Sequence, residues 1–152
     1  MQFSTLALDW RTRSGGGGKT QQDHLDFVVD GRSLLDRLPP VDNVGVLGWT
    51  LPEYEAGAVA QLLLRQPSEM PGGRVPLYVC AECGDLDCGA VTARIEKTAD
   101  AFVWSDFAWE VTYHYEPEDD GVLQRYADVG PFVFHKTDYW NVFNDRLSQV
   151  AV

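Results

Sequence analysis

Residues 74–115 read RVPLYVCAECGDLDCGAVTARIEKTADAFVWSDFAWEVTYHY, and the periodicity inside them decides the expected fold. Across 74–80, Val75, Leu77 and Val79 fall on one face. Across 90–98, Val91, Ala93 and Ile95 point one way and Thr92, Arg94 and Glu96 the other, the period of two of a half-buried strand. Residues 101–115 begin apolar on both faces, after which Val103, Phe107, Trp109, Val111 and Tyr113 share one face. Three such segments, joined by the cysteine stretch 80–89 and a short link near 99–101, predict an antiparallel meander.

Working outward, FSTLALDW (3–10) and HLDFVVDG (24–31) read as short strands pairing as a hairpin. The polar, glycine-rich stretch 11–23 between them reads as a flexible loop. Ser33 suits the cap of a brief helical turn in LLDRL, which Pro39 and Pro40 end. Residues 41–50 mix glycine and aliphatic residues, as a strand or an irregular buried segment. In 52–66 a leading proline, acids in the first turn and Arg65 in the last suit a helix and its dipole. GPFVFHK (130–136) reads as one more strand. In 138–150 Tyr139, Val142, Phe143, Leu147 and Val150 recur at helical spacing. The expectation is one α+β domain over residues 1–152, a central antiparallel sheet with two main helices packed on it.

Composition narrows the partners. The 152 residues carry 23 acids and 12 bases, a net charge of −11, which repels nucleic-acid backbones and favours a partner protein with a basic surface. No apolar stretch reaches the length that spans a bilayer or marks a signal peptide, and three clustered cysteines do not form a secreted disulfide framework. The expectation is a cytoplasmic protein with neither nucleic acid nor membrane as partner.

Four groups of residues invite chemistry. GGGGKT (15–20) resembles the end of a phosphate-binding loop, but the segment after it has strand character, so the amides of a helix N-terminus are missing. Cys80, Cys83 and Cys88 are spaced C-x2-C-x4-C, half of a tetrahedral zinc site. A fourth ligand has to come from His114, His135, Asp85, Asp87 or a second chain, and His114 is the leading candidate. A redox reading of Cys80 and Cys83 lacks the helix that lowers a thiol pKa, and Glu82, Asp85 and Asp87 oppose thiolate formation. The third reading makes the thiols small apolar groups packing a strand connection, with Gly84 and Gly89 at positive φ. No nucleophile elbow accompanies the histidines, so no catalytic constellation is expected. Finally, Trp104, Asp106, Trp109, Glu110, Tyr115, Glu116, Asp119 and Asp120 combine rings and acids in the manner of a surface for a basic partner.

LYVCAECGDLDCGAVTARI with VWSDFAWE (77–110) and GPFVFHKTDYW (130–140) resembles uncharacterised bacterial proteins, mostly actinobacterial. These carry a C-x2-C-G-D-x2-C-G segment before a tryptophan-containing strand, and the resemblance implies no particular activity. In size, acidity and mixed composition the chain is also similar in character to immunity proteins that neutralise bacterial toxins. The functional expectation is a non-catalytic, acidic protein-binding module of the immunity or antitoxin type. The alternative is a zinc or thiol-redox protein built on the cysteine cluster.

Overall fold

The computed structural model describes residues 2–82, 84–112 and 121–150. Among them are nine strands in two antiparallel sheets. The first sheet holds β1 (Leu6–Arg13), β2 (Gln22–Val29) and β3 (Arg32–Ser33) in that order. The second runs β4 (Asn43–Gly45), β5 (Val75–Cys80), β6 (Ala90–Lys97) and β7 (Ala101–Glu110), whose far edge carries both β8 (Val122–Arg125) and β9 (Phe132–His135). The α-helices are α1 (Pro52–Leu62) and α2 (Lys136–Val150). The architecture is therefore mostly β, which corrects the expected α+β domain of two helices on one central sheet. Both helices and the β5–β6–β7 meander are present; what the pattern concealed is that the β1–β2 hairpin belongs to a sheet of its own. Arg11, Thr12 and Arg13 pair with His24, Asp23 and Gln22, so the hairpin strands continue into the stretch read as loop.

The two sheets meet at both edges. Ser4 N donates to Val133 O beside β9 at 2.7 Å, and Leu25 N donates to Leu47 O just past β4 at 2.9 Å. A circuit of backbone hydrogen bonds thus runs β1, β2, β4, β5, β6, β7, β9 and back to the chain before β1. At the β2–β4 seam there is no room for a Cβ on Gly45, which lies against the Leu25 carbonyl. There Gly45 N donates to His24 Nδ1 at 2.9 Å. Tyr78 of β5 donates its hydroxyl to Asp26 of β2 at 2.5 Å, and Asp26 also accepts from the Ser33 hydroxyl. This buried acid is therefore satisfied from both sheets, the condition under which burying it is tolerable.

Between the sheets and α2 lies an aromatic core. The fully buried Trp104 meets Phe27 and Phe134 edge to face, with ring centres 5.5 and 5.1 Å apart. Its Nε1 donates to the Tyr139 hydroxyl at 3.1 Å, which donates in turn to Leu62 O at 2.5 Å. One chain of bonds therefore ties β7, α2 and the end of α1, and each buried ring adds roughly 1.5–3 kcal/mol of apolar burial.

A bulge in β7 decides which side chains enter this core. Arg94 pairs with Ser105 and Thr92 with Ala108, so β7 carries one extra residue, and Asp106 takes φ +53°. Before the bulge Phe102 and Trp104 face inward; after it Phe107 does. The expected face shared by Val103 and Phe107 is corrected by this one-residue shift, which reverses alternation. Arg74, Arg94 and Arg125 all pair with the Asp106 carboxylate. Burial raises its pKa, but the hydrogen bonds from Arg74 and Arg125 outweigh that and hold it below the ordinary value.

Candidate functional site

The cysteine stretch is a built loop. Gly84 N closes a turn onto Cys80 O at 2.8 Å, and Asp85 accepts from Asp87 N at 2.9 Å to start a single 3-10 turn, Leu86–Cys88. Gly89, at φ +98°, then passes directly under the Trp109 ring, where a Cβ has no space. Glu82 accepts from Thr20 N at 2.9 Å, the Thr20 hydroxyl at 2.7 Å and Arg13 at 2.8 Å. These donors, the Thr20 amide foremost, hold the Glu82 carboxyl well below its ordinary pKa. Asp42 takes Arg13 and Lys19, at 2.9 and 3.0 Å. The glycine-rich tip is therefore a hairpin turn whose Lys19 and Thr20 are engaged with acids, and it has none of the strand-to-helix geometry that cradles phosphate.

Beside this loop, on the outer face of the second sheet, α1 and the chain after β4 enclose a cleft of about 690 Å³. Its floor is Val46, Pro76 and Val79, and its walls include Trp49 and Tyr54. Among the described residues, the charged ones lining it are Glu69, Asp85 and Asp87, with no base. Trp49 Nε1 donates to Gly45 O at 2.8 Å, which fixes the indole. Tyr54 stands on α1 with its side chain largely in solvent. The Thr50 and Thr112 hydroxyls are buried here without a hydrogen-bond partner among the described residues. Acids, one fixed indole, an exposed tyrosine and unsatisfied hydroxyls around one concavity suit a cation with an apolar stem.

The residues singled out from sequence lie in several places. Cys80 is half-buried at the end of β5, and Cys88 is exposed at the end of the 3-10 turn. Cys83 and His114 lie outside the described residues, as do Tyr115, Glu116, Asp119 and Asp120. Among the described residues, no three His, Cys, Asp or Glu side chains gather as a metal group. His135 cannot join the cysteines: it pairs with Ala101, whereas Ala90 beside the loop pairs with Glu110 at the other end of β7. Nine residues of strand, roughly 30 Å, separate those ends. Of the proposed partner surface, Trp104 and Glu110 are fully buried, Glu110 accepting from the Thr92 hydroxyl at 2.6 Å. Trp109 is half-buried over Gly89, and Asp106 is held by its arginines, so these four do not form an open face.

Trp49, Thr50, Tyr54 and Glu69, which line the cleft, were not singled out from sequence. The available signal is WTLPEYE (49–55), where Pro52 opens a helix and its first turn carries a tyrosine that a single buried stripe does not need. No helix among the described residues is long and apolar enough to cross a membrane. No protein-family model, curated protein or solved structure matches the chain.

Proposed function

We propose that the chain is a non-catalytic binding module, of the immunity or antitoxin type, that receives a lysine or arginine side chain of a basic partner protein in the cleft between α1 and the cysteine loop. The observation that carries this reading is the cleft's lining, where, among the described residues, Glu69, Asp85 and Asp87 are the charged ones and stand beside Trp49 and Tyr54. A cationic head meets the carboxylates and the two Thr hydroxyls, while its methylene stem lies on the rings. The net charge of −11 adds long-range attraction for a basic surface, which raises the association rate and weakens as salt rises.

The test is a titration of the full chain with a lysine- and arginine-rich peptide, followed by tryptophan fluorescence and calorimetry at low and high salt. Saturable binding that weakens with salt and falls about tenfold in the double variant Glu69→Gln with Asp87→Asn is expected, the scale of losing charge-assisted contacts. Both side chains are exposed, so the variant keeps its fold. No binding at low salt, or equal binding by the variant, overturns the proposal.

A further inference from the structure

The bases of this chain are not distributed at random. Seven of the twelve (Arg11, Arg13, Lys19, Arg74, Arg94, Arg125 and Arg146) are in ion pairs. The five without a carboxylate partner among the described residues are Arg32, Arg37, Arg65, Lys97 and Lys136. Three of them line a single concavity of about 380 Å³ where the end of α1, the β6–β7 turn and the start of α2 meet. No acid lines it. Clustering unpaired cations costs self-repulsion, and it is unexpected in a molecule with 23 acids available to pair with them.

The same concavity exposes apolar surface. Leu64 is 39% and Trp140 47% exposed, and both are among its lining. Leu64 sits at φ +58°, a conformation unfavourable for a leucine. Two of the cations lie on rings: the Arg65 guanidinium is 5.5 Å from the centre of Trp140 and the Lys97 ammonium 5.8 Å from that of Phe102. Lys136 is the first residue of α2, so the positive end of a 15-residue helix dipole adds to the three charges.

We propose that this concavity binds a small aromatic anion, an aryl carboxylate or aryl phosphate. Its anionic group sits among Arg65, Lys97 and Lys136, and its ring lies against Trp140 and Leu64. The volume falls in the range of small-ligand pockets. The site shares no lining residue with the acidic cleft and is opposite to it in charge, so a basic partner and an aromatic anion do not compete.

Calorimetry of the full chain with 2-naphthoate, 2-naphthol and inorganic phosphate tests it. Saturable binding of 2-naphthoate is expected, with 2-naphthol and phosphate each about tenfold weaker or more, because each keeps only half of the recognition. The double variant Lys97→Glu with Lys136→Glu loses about tenfold or more of the 2-naphthoate affinity at an unchanged melting temperature. Should that variant unfold, Arg65→Gln and Trp140→Ala, both at exposed positions, are expected to weaken binding separately. The proposal is overturned by absence of saturation up to about 1 mM, by equal affinity for 2-naphthol or phosphate, or by full affinity in the folded variants.

Discussion

At Gly89 the backbone takes φ +98° and Trp109 lies where any Cβ would stand, so two separate costs fall on one position. Gly89→Ala is expected to destabilise the fold by about 2–4 kcal/mol, from left-handed strain plus overpacking. Gly31→Ala, at φ +78° with open space around it, carries the strain alone and is expected to cost less. Urea midpoints of the two variants separate the terms, and equal losses would mean that the Trp109 contact is unimportant. The glycine was readable from sequence as a positive-φ position, since a tight connection needs one. The ring above it was not, because Trp109 comes from a strand whose inward face depends on Asp106. Alternation along β7 is a local signal, whereas the extra residue answers to arginines brought from Arg74, Arg94 and Arg125, far apart in the chain.

Besides the Tyr139–Leu62 bond, the two helices are fastened to each other through one buried carboxylate. Glu55 of α1, 2% exposed, accepts from Nε and Nη2 of the Arg146 guanidinium, with Nη2 3.1 Å from each carboxylate oxygen, and also accepts from Gly48 N. Arg146→Met leaves that charge buried without its partner and is expected to cost about 3–5 kcal/mol. Adding Glu55→Gln recovers part of the loss, since the amide oxygen still accepts from Gly48 N. If thermal melts show the double variant less stable than Arg146→Met, the ion pair is not what the loss reports. Both helices were visible in the sequence from Pro52, from first-turn acids and from the apolar spacing of Tyr139 and Phe143. Their mutual contact was not, because it joins residues 91 apart with no pattern linking them.

Across the whole molecule, protonation tests the seam between the sheets. His24 is buried at the β2–β4 junction with Nδ1 occupied as an acceptor, and burial lowers its pKa below the ordinary 6.5 despite the opposing pull of Asp26. An unfolded chain protonates this histidine as pH falls through about 6.5, while the folded chain resists until lower pH. The stability is therefore full above about 6.5 and declines below it. Between pH 7.5 and 5.5 the wild-type chain is expected to lose more stability than His24→Gln, whose amide oxygen accepts from Gly45 N without titrating. Parallel denaturation midpoints for the two chains over that window would refute the assignment. The division into two sheets that this seam joins was hidden from sequence because β3 and β4, which border it, hold two and three residues, too few to show a period.

The closed circuit of strands also limits how anything can attach to this molecule. β2 and β7 each give one edge to two short neighbours, and the single bonds at Ser4 and Leu25 occupy edge positions that an incoming strand would otherwise use. Among the described residues, the edge strands left over are β3 and β8, of two and four residues, and the eight-residue β1, whose only ladder is with β2. Strand addition by a partner, or by a second copy of the chain, finds too short a template at β3 and β8 to be held by main-chain bonds alone, which leaves β1 as the edge long enough to offer a ladder. Away from β1, recognition falls to side chains on the outer faces, which places selectivity there in charge and ring geometry rather than in backbone pairing.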